Sequence, residues 1–382
     1  MGIEMEGKDE TERAYMLWLC SLPGIGNVRG ERLLNLCGGS ARNLYHAPGE
    51  LWSKVVGEKT YEKAKEFTEG WKVQEEYEKL REKGIGFVCR CEDTYPERLR
   101  NIPDAPLGLF YRGSLPKQDV PSAAVIGARD CSEYGSYVAR ELGRFLGERG
   151  VNVISGMARG IDGICQSAAL ERGGASFGVL GCGVDICYPR ENRRLYIQLS
   201  SQGGLLSSYT PGTEPRPGNF PPRNRIVSGL ADAVVVVEAR NKSGTLITVD
   251  MALEQGKEVY VVPGRITDRL SDGCNSLLRQ GARVFLSPED FWEELSRDFH
   301  RKNPKYALRE RRVEGGKKER ELVPELQQIW EALDFTPRTL EQIKDRISFS
   351  CSVGSLGAML MVLCMKGFAS QVSPGYFCAA KR

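Results

Sequence analysis

From residue 85 onward, short apolar runs alternate with longer segments whose apolar residues recur every three or four positions. The runs that read as strands are Phe87–Arg90, Ala123–Gly127, Val151–Ser155, Ser176–Leu180, Leu205–Ser207, Ala233–Val237, Val259–Val262 and Arg283–Leu286. Between them, Tyr134–Arg149, Ile161–Arg172 and Leu246–Gln255 carry helical spacing. Val-rich runs that alternate with helices belong to parallel sheets covered on both faces. The pattern therefore predicts an α/β fold, a Rossmann-like parallel sheet core over residues 81–299. In such sheets ligands sit beyond the carboxyl ends of the strands.

The flanks read differently. Residues up to about Glu10 are a polar tail, Ala14–Cys20 suits a helix, and Val28, Leu33, Leu34 and Leu36 mark a second one. Together with charged helices over Lys54–Lys83 they predict an N-terminal helical domain at 1–80. Leu22-Pro23-Gly24-Ile25-Gly26 joins the first two helices. The element resembles a helix-hairpin-helix (SAM-like) motif, whose hairpin N–H groups hold a DNA phosphate; an ordinary helical turn accounts for it as well. Residues 300–321 read as a flexible basic linker, with nine Lys/Arg and four Glu from residue 301 on and a Gly-Gly in the middle. Beyond it, Leu322–Leu333, Leu340–Ile347 and Ser355–Lys366 are helical, and Phe368–Val372 and Tyr376–Ala379 flank a Ser-Pro-Gly turn. This 322–382 module resembles a winged helix. Its third helix offers Met359, Met361, Met365 and only Lys366, so protein contact suits it better than base reading.

Composition changes this picture in three ways. A net charge of +3 over 382 residues gives no global basic field. Its distribution is informative: between Arg112 and Arg265 there are 15 arginines against 3 lysines, whereas over Met1–Phe110 each numbers 8. Arginine's planar fork suits phosphate contacts and stacking. The 12 cysteines include no CxxC pair and the only histidines are His46 and His300, so neither a zinc site nor a His-based triad is expected. Neither GxGxxG nor GxxxxGK[ST] occurs, so no nucleotide cofactor or metal is implied. With no signal peptide or long apolar run, the expected setting is cytoplasmic, away from membranes.

The candidate chemistry gathers at the strand ends. One strand runs into Gly127-Ala128-Arg129, another into Ser155-Gly156-Met157-Ala158-Arg159-Gly160, and another into the loop carrying Lys242, Ser243, Gly244 and Thr245. Glycines there let backbone N–H groups approach an oxyanion, and Ser243 is placed to cap the next helix. The segment Pro215–Leu230 adds Phe220, Arg223, Asn224 and Arg225. Its prolines predict an extended loop, with a helix starting at Arg223. A ring beside two guanidinium groups suits an unpaired nucleic-acid strand, one face for a base and forks for phosphates. The plain alternative has Phe220 in the core and the arginines solvated.

Eight segments in order then resemble the DNA-processing protein A (DprA/Smf) family. They are YPERL near Tyr95, VIGARDCSEYG from Val125, SGMARGID from Ser155, VLGCGVDICYPREN from Val179, NFPPRNRIVSGL from Asn219, VVEARNKSGTLIT from Val236, EQGKEVYVVPG from Glu254 and GCNSLLRQGA from Gly273. The resemblance implies a non-enzymatic recombination mediator that binds and protects incoming single-stranded DNA, helps load RecA during natural transformation, and forms a homodimer. It matches Arg129 to the family's basic residue in the first glycine loop and Phe220 to its stacking aromatic. Arg223–Arg225 match its RNR, Ser243–Thr245 match its anion loop, and Arg190 of the CYPREN segment joins the same surface. Gln166 stands where the family usually has histidine, and Ser208 where it usually has glutamate, which weakens any acid–base role. The competing reading is a nucleotide or nucleoside-monophosphate hydrolase of a related fold, with Asp162, Glu191 and Glu238 as its carboxylates. A third makes the C-terminal module an interaction scaffold.

Overall fold

The structure, a computed structural model, describes residues 3–306, 323–334, 337–365, 368–373 and 375–379. The chain forms two compact units, Met1–Ala307 and Leu308–Arg382.

The first unit is built on a nine-stranded sheet of β1 (Gly86–Cys89), β2 (Gly108–Gly113), β3 (Ser122–Ile126), β4 (Asn152–Ser155), β5 (Ser176–Val179), β6 (Gly204–Ser207), β7 (Ala233–Val236), β8 (Glu258–Val261) and β9 (Arg283–Val284). Their spatial order is β1-β2-β6-β5-β4-β3-β7-β8-β9. From β6 to β9 all neighbours are parallel. The order runs outward from β3 one way and from β7 the other. The central pair aligns Ala123 with Ala233 through Ile126 with Val236. Their carboxyl ends form the switch point where such sheets open a crevice.

Side chains alternate between the two faces along these strands. Ala124, Ile126, Val234 and Val236 enter a core with Ile226, Val227 and Val249, whereas Ala123, Val125, Val235 and Val237 enter another with Leu142, Leu146 and Cys165. Two helices of the second face, Glu133–Glu148 and Ile161–Glu171, lie close because a Cβ on Gly143 would sit 2.3 Å from the Cys165 carbonyl oxygen.

The sequence pattern missed β2, and it implied a wholly parallel sheet. In fact β1 pairs antiparallel with β2, and β2 antiparallel with β6. The N-terminal helices, which include Ile3–Ser21, Asn27–Leu36 and Val73–Glu82, pack on this edge. Their core of Trp18, Leu33, Leu44, Trp52 and Leu80 continues into Phe87, Leu107 and Phe110. The stretch up to about Glu10, expected to be a polar tail, is helical from Ile3.

Two further boundaries differ from expectation. The helix expected to start at Arg223 begins at Phe220 and runs to Gly229, after a 3-10 turn at Pro217–Asn219. Pro221 and Pro222 occupy its first turn, where no backbone N–H has an intrahelical partner to lose. The expected linker start at residue 300 is also displaced: His300, Arg301 and Lys302 close the helix Pro288–Lys302, where cations favour the carbonyl end. The rest of that stretch, 307–322, lies outside the described residues.

In the second unit, helices Pro324–Ala332, Leu340–Lys344 and Val353–Met365 accompany a three-stranded antiparallel sheet of Ala369–Ser373, Tyr376–Ala379 and the short Arg338–Thr339, which was not foreseen. Leu326, Ile329, Ile343, Leu356, Leu360, Leu363 and Phe377 form its core. Lys366 lies outside the described residues.

Candidate nucleic-acid interface

At the switch point a hollow of about 630 Å³ opens, bounded by the loops after β3 and β7 and by the helix Phe220–Gly229. Gly127, Arg129, Gly156, Phe220, Arg223, Asn224, Ser243, Gly244 and Thr245 of the expected surface line it. A second hollow of about 440 Å³ is lined by Arg129, Gly156, Arg159, Arg190, Phe220 and Arg223, among others. Four of these residues (Arg129, Gly156, Phe220 and Arg223) border both, so the two hollows form one groove with Phe220 at its waist.

The ring of Phe220 is half-buried and held from three sides. The Arg129 and Arg223 guanidinium carbons lie 5.9 and 5.5 Å from its centroid, within cation–π range, and the Tyr188 ring lies 5.6 Å away at 39°. It also rests against Gly181, where a Cβ would stand 3.0 Å from a ring carbon.

The two guanidiniums differ in kind. Arg129 is exposed. Arg223 is 5% exposed; one of its nitrogens donates to the Gly156 carbonyl at 2.8 Å and also to that of Val179, while Nε donates to Asn224 Oδ1 at 3.1 Å. Burial pulls its pKa down, and the nearby Asp162 carboxylate opposes this. Burial likewise raises the Asp162 pKa, against the pull of Arg223 and of its own hydrogen bonds, including one from Gly156 N at 3.0 Å. Gly156 lies between them: a Cβ there would meet Asp162 Oδ2 at 2.8 Å and the Arg223 guanidinium at 2.9 Å. Arg223 is thus the floor of the groove.

Several expected residues take other positions. Ser155 is fully buried and its hydroxyl donates to the Val125 carbonyl at 2.6 Å, pinning β4 to β3. Gly160, at φ +71°, lines neither hollow; a Cβ there would lie 2.3 Å from the Ala128 oxygen and 2.4 Å from that of Arg129, so it lets the two loops meet. Lys242 is exposed with φ 85° and lines neither hollow. Arg225 faces away from the groove, donating to the Pro103 carbonyl at 3.3 Å and approaching Glu254 at 3.5 Å. Ser243 stands at the N-cap of the helix Gly244–Glu254 without bonding it. Its buried hydroxyl has no hydrogen-bond partner. Thr245 Oγ1 donates to the Gly127 carbonyl at 3.3 Å.

Tyr188, which was not singled out from the sequence, also lines the groove, as does Arg240 of the strand end that leads into the Lys242–Thr245 loop. Tyr188 lies in the CYPREN segment. Glu238 is 1% exposed, and both its oxygens accept from Ser132, one from the backbone N–H at 2.9 Å and one from the hydroxyl. It therefore anchors the start of the helix Glu133–Glu148. Buried Gln166 accepts from Met157 N at 3.1 Å and donates to Ser176 Oγ at 3.2 Å, bracing the loop after β4. Among the described residues no cluster of three metal-ligating side chains occurs, and no helix is long and apolar enough to cross a membrane.

Fold and site together define a doubly wound α/β protein with an open, arginine-lined groove at the switch point of its sheet. Residues 86–296 match the family model described as DNA recombination-mediator protein A, and the chain belongs to that family. It is 42% identical over 204 residues to the DNA processing protein DprA of Streptococcus pneumoniae, covering 53% of this chain and 72% of that protein. Its identity to the protein Smf of Synechocystis sp. is 34% over 292 residues, 75% and 73% of the two chains. The X-ray structure of the S. pneumoniae protein superposes with a TM-score of 0.64 at 33% identity, over 74% of this chain and 98% of that one. The DNA processing protein A of Helicobacter pylori, described for its single-stranded DNA binding mode, gives a TM-score of 0.51 at 29% identity, over 56% and 97%.

Proposed function

We propose that the groove binds single-stranded DNA and that the protein is a recombination mediator without catalysis of its own. The observation that carries this is the Phe220 ring at the waist of the groove, with an exposed guanidinium beside it and a buried one beneath. A base stacks on such a ring whatever its identity, and phosphates on either side meet Arg129, Arg159 and Arg190. The free Ser243 hydroxyl and the Gly244 and Thr245 backbone at a helix N-terminus add donors for one more phosphate. Gly127, Gly156 and Asn224 shape the same wall, while Ser155, Gly160 and Arg223 support it from below. The single-stranded DNA binding of the H. pylori relative points the same way.

Within this reading the protein acts in the cytoplasm as a homodimer, shields a single strand during natural transformation and passes it to RecA. The N-terminal helices serve as a helix-hairpin-helix (SAM-like) domain and the C-terminal unit as a winged-helix-like module for protein contact. The hydrolase reading is weaker, because two of its three carboxylates are engaged, Glu238 by Ser132 and Asp162 by Gly156, and only Glu191 is left at the groove. Arg129→Glu tests the proposal, since an exposed residue is exchanged without disturbing the core. Single-strand affinity is expected to vanish at an unchanged melting temperature. Unchanged affinity, or release of base from a nucleoside monophosphate by the wild type, refutes it.

A further inference from the structure

One corner of the first unit faces the turn between its first two helices. There a separate hollow of about 560 Å³ lies between the Gly24–Gly26 turn and the helix Phe220–Gly229, lined among others by Arg29, Val28, Arg225, Pro222 and Met251. Pro221 borders both this hollow and the central groove, so a strand leaving the groove around that ring enters it directly.

Its lining is suited to such a strand. Its charged lining is two arginines and one carboxylate, Asp104. Arg29 donates to the Gly24 carbonyl at 3.2 Å, and Arg225 donates to that of Pro103 at 3.3 Å and pairs with Glu254 at 3.5 Å; each guanidinium keeps further N–H groups for an anion, which on Arg225 competes with Glu254. Beside them Val28, 45% exposed, and the flat faces of Pro221 and Pro222 form an apolar wall against which a base or sugar can lie. The reversal of direction along the helix explains the division of labour. Residues two apart on a helix point about 200° away from each other, so Arg223 supports the first groove and Arg225 serves the second hollow.

We propose that this hollow is an extension subsite for the same single strand, holding phosphates on Arg29 and Arg225. The inference rests on the single-strand reading above and lengthens its footprint.

The test is a ladder of labelled oligothymidylates from about 4 to about 16 nucleotides, the span of site sizes in single-strand binders, titrated against the full chain. Wild-type affinity rises with length. Arg29→Gln combined with Arg225→Gln lowers affinity for the longest oligomer about tenfold and its salt slope by roughly 1.4, about 0.7 per phosphate, and leaves the shortest unchanged. A photo-crosslinker on Val28→Cys reports independently of folding losses in the double variant: it captures long single strands and not short ones. Equal loss at every length, no loss at any length, or crosslinking to duplex but not to long single strands overturns the subsite. If the wild type binds no single strand at all, the parent reading fails together with this one. Normal binding of short oligomers with none of the length-dependent effects sinks the subsite alone.

Discussion

Replacing Phe220 by alanine removes the aromatic face at the waist of the groove and leaves its guanidiniums in place. The ring is backed by Gly181 and flanked by Tyr188 at 5.6 Å, so it is held ready for a base and needs little ordering on binding. Stacking of one base on an aromatic side chain contributes about 1–3 kcal/mol. At 0.59 kcal/mol for RT this corresponds to a loss of roughly 5-fold to 160-fold in affinity for a single strand. No phosphate contact is removed, so the slope of log affinity against log salt stays at the wild-type value. Phe220→Leu, which keeps bulk without a π face, should lose nearly as much while preserving the melting temperature. Fluorescence anisotropy with a labelled oligonucleotide at several salt concentrations reads both quantities. Affinity within twofold of wild type, or a slope reduced as for an arginine deletion, refutes stacking as the role of this ring.

Two other substitutions separate support from contact. Arg223→Met should destabilise the fold by about 3 kcal/mol, because it leaves the Gly156 and Val179 carbonyls without their buried donor and Asp162 without its nearby cation; chemical denaturation measures it, and a loss below about 1 kcal/mol contradicts the floor assigned to this residue. Lys257 is half-buried and donates to the Gly229 carbonyl at 3.4 Å. Burial pushes its pKa down to about 8 from 10.5, with Asp232 opposing and Arg98 assisting. The unfolded chain then binds more protons than the folded one between pH 8 and 10.5, so wild-type stability rises across that window relative to Lys257→Met, by up to about 3 kcal/mol. Parallel stability curves for the two proteins would show that this lysine titrates normally.

Much of this molecule is legible in its sequence, and what is not has physical causes. Strands such as Ala233–Val236 are apolar at every position because both faces are covered, and that signature is hard to mistake. The strand Gly108–Gly113 carries a glycine at each end and joins the sheet antiparallel, so neither length nor connection announced it. At Pro215–Leu230 the prolines read as breakers, yet two of them open a helix. The sequence groups Arg223 and Arg225 near one helix N-terminus, but residues two apart on a helix oppose each other, so only Arg223 reaches the groove. Ser155, a polar residue in a glycine loop by sequence, is a strand pin because burial at a strand's last position cannot be read from its neighbours. Of the rim residues read from the sequence, Arg129, Phe220 and Ser243–Thr245 line one hollow, whereas Lys242 lines neither.

The most direct test of the central claim is a titration of the full chain with labelled single-stranded and duplex oligonucleotides of the same sequence across a salt series. The account predicts clear preference for the single strand and a log–log salt dependence whose slope corresponds to several phosphates. Equal affinity for duplex, or binding indifferent to salt, would contradict it.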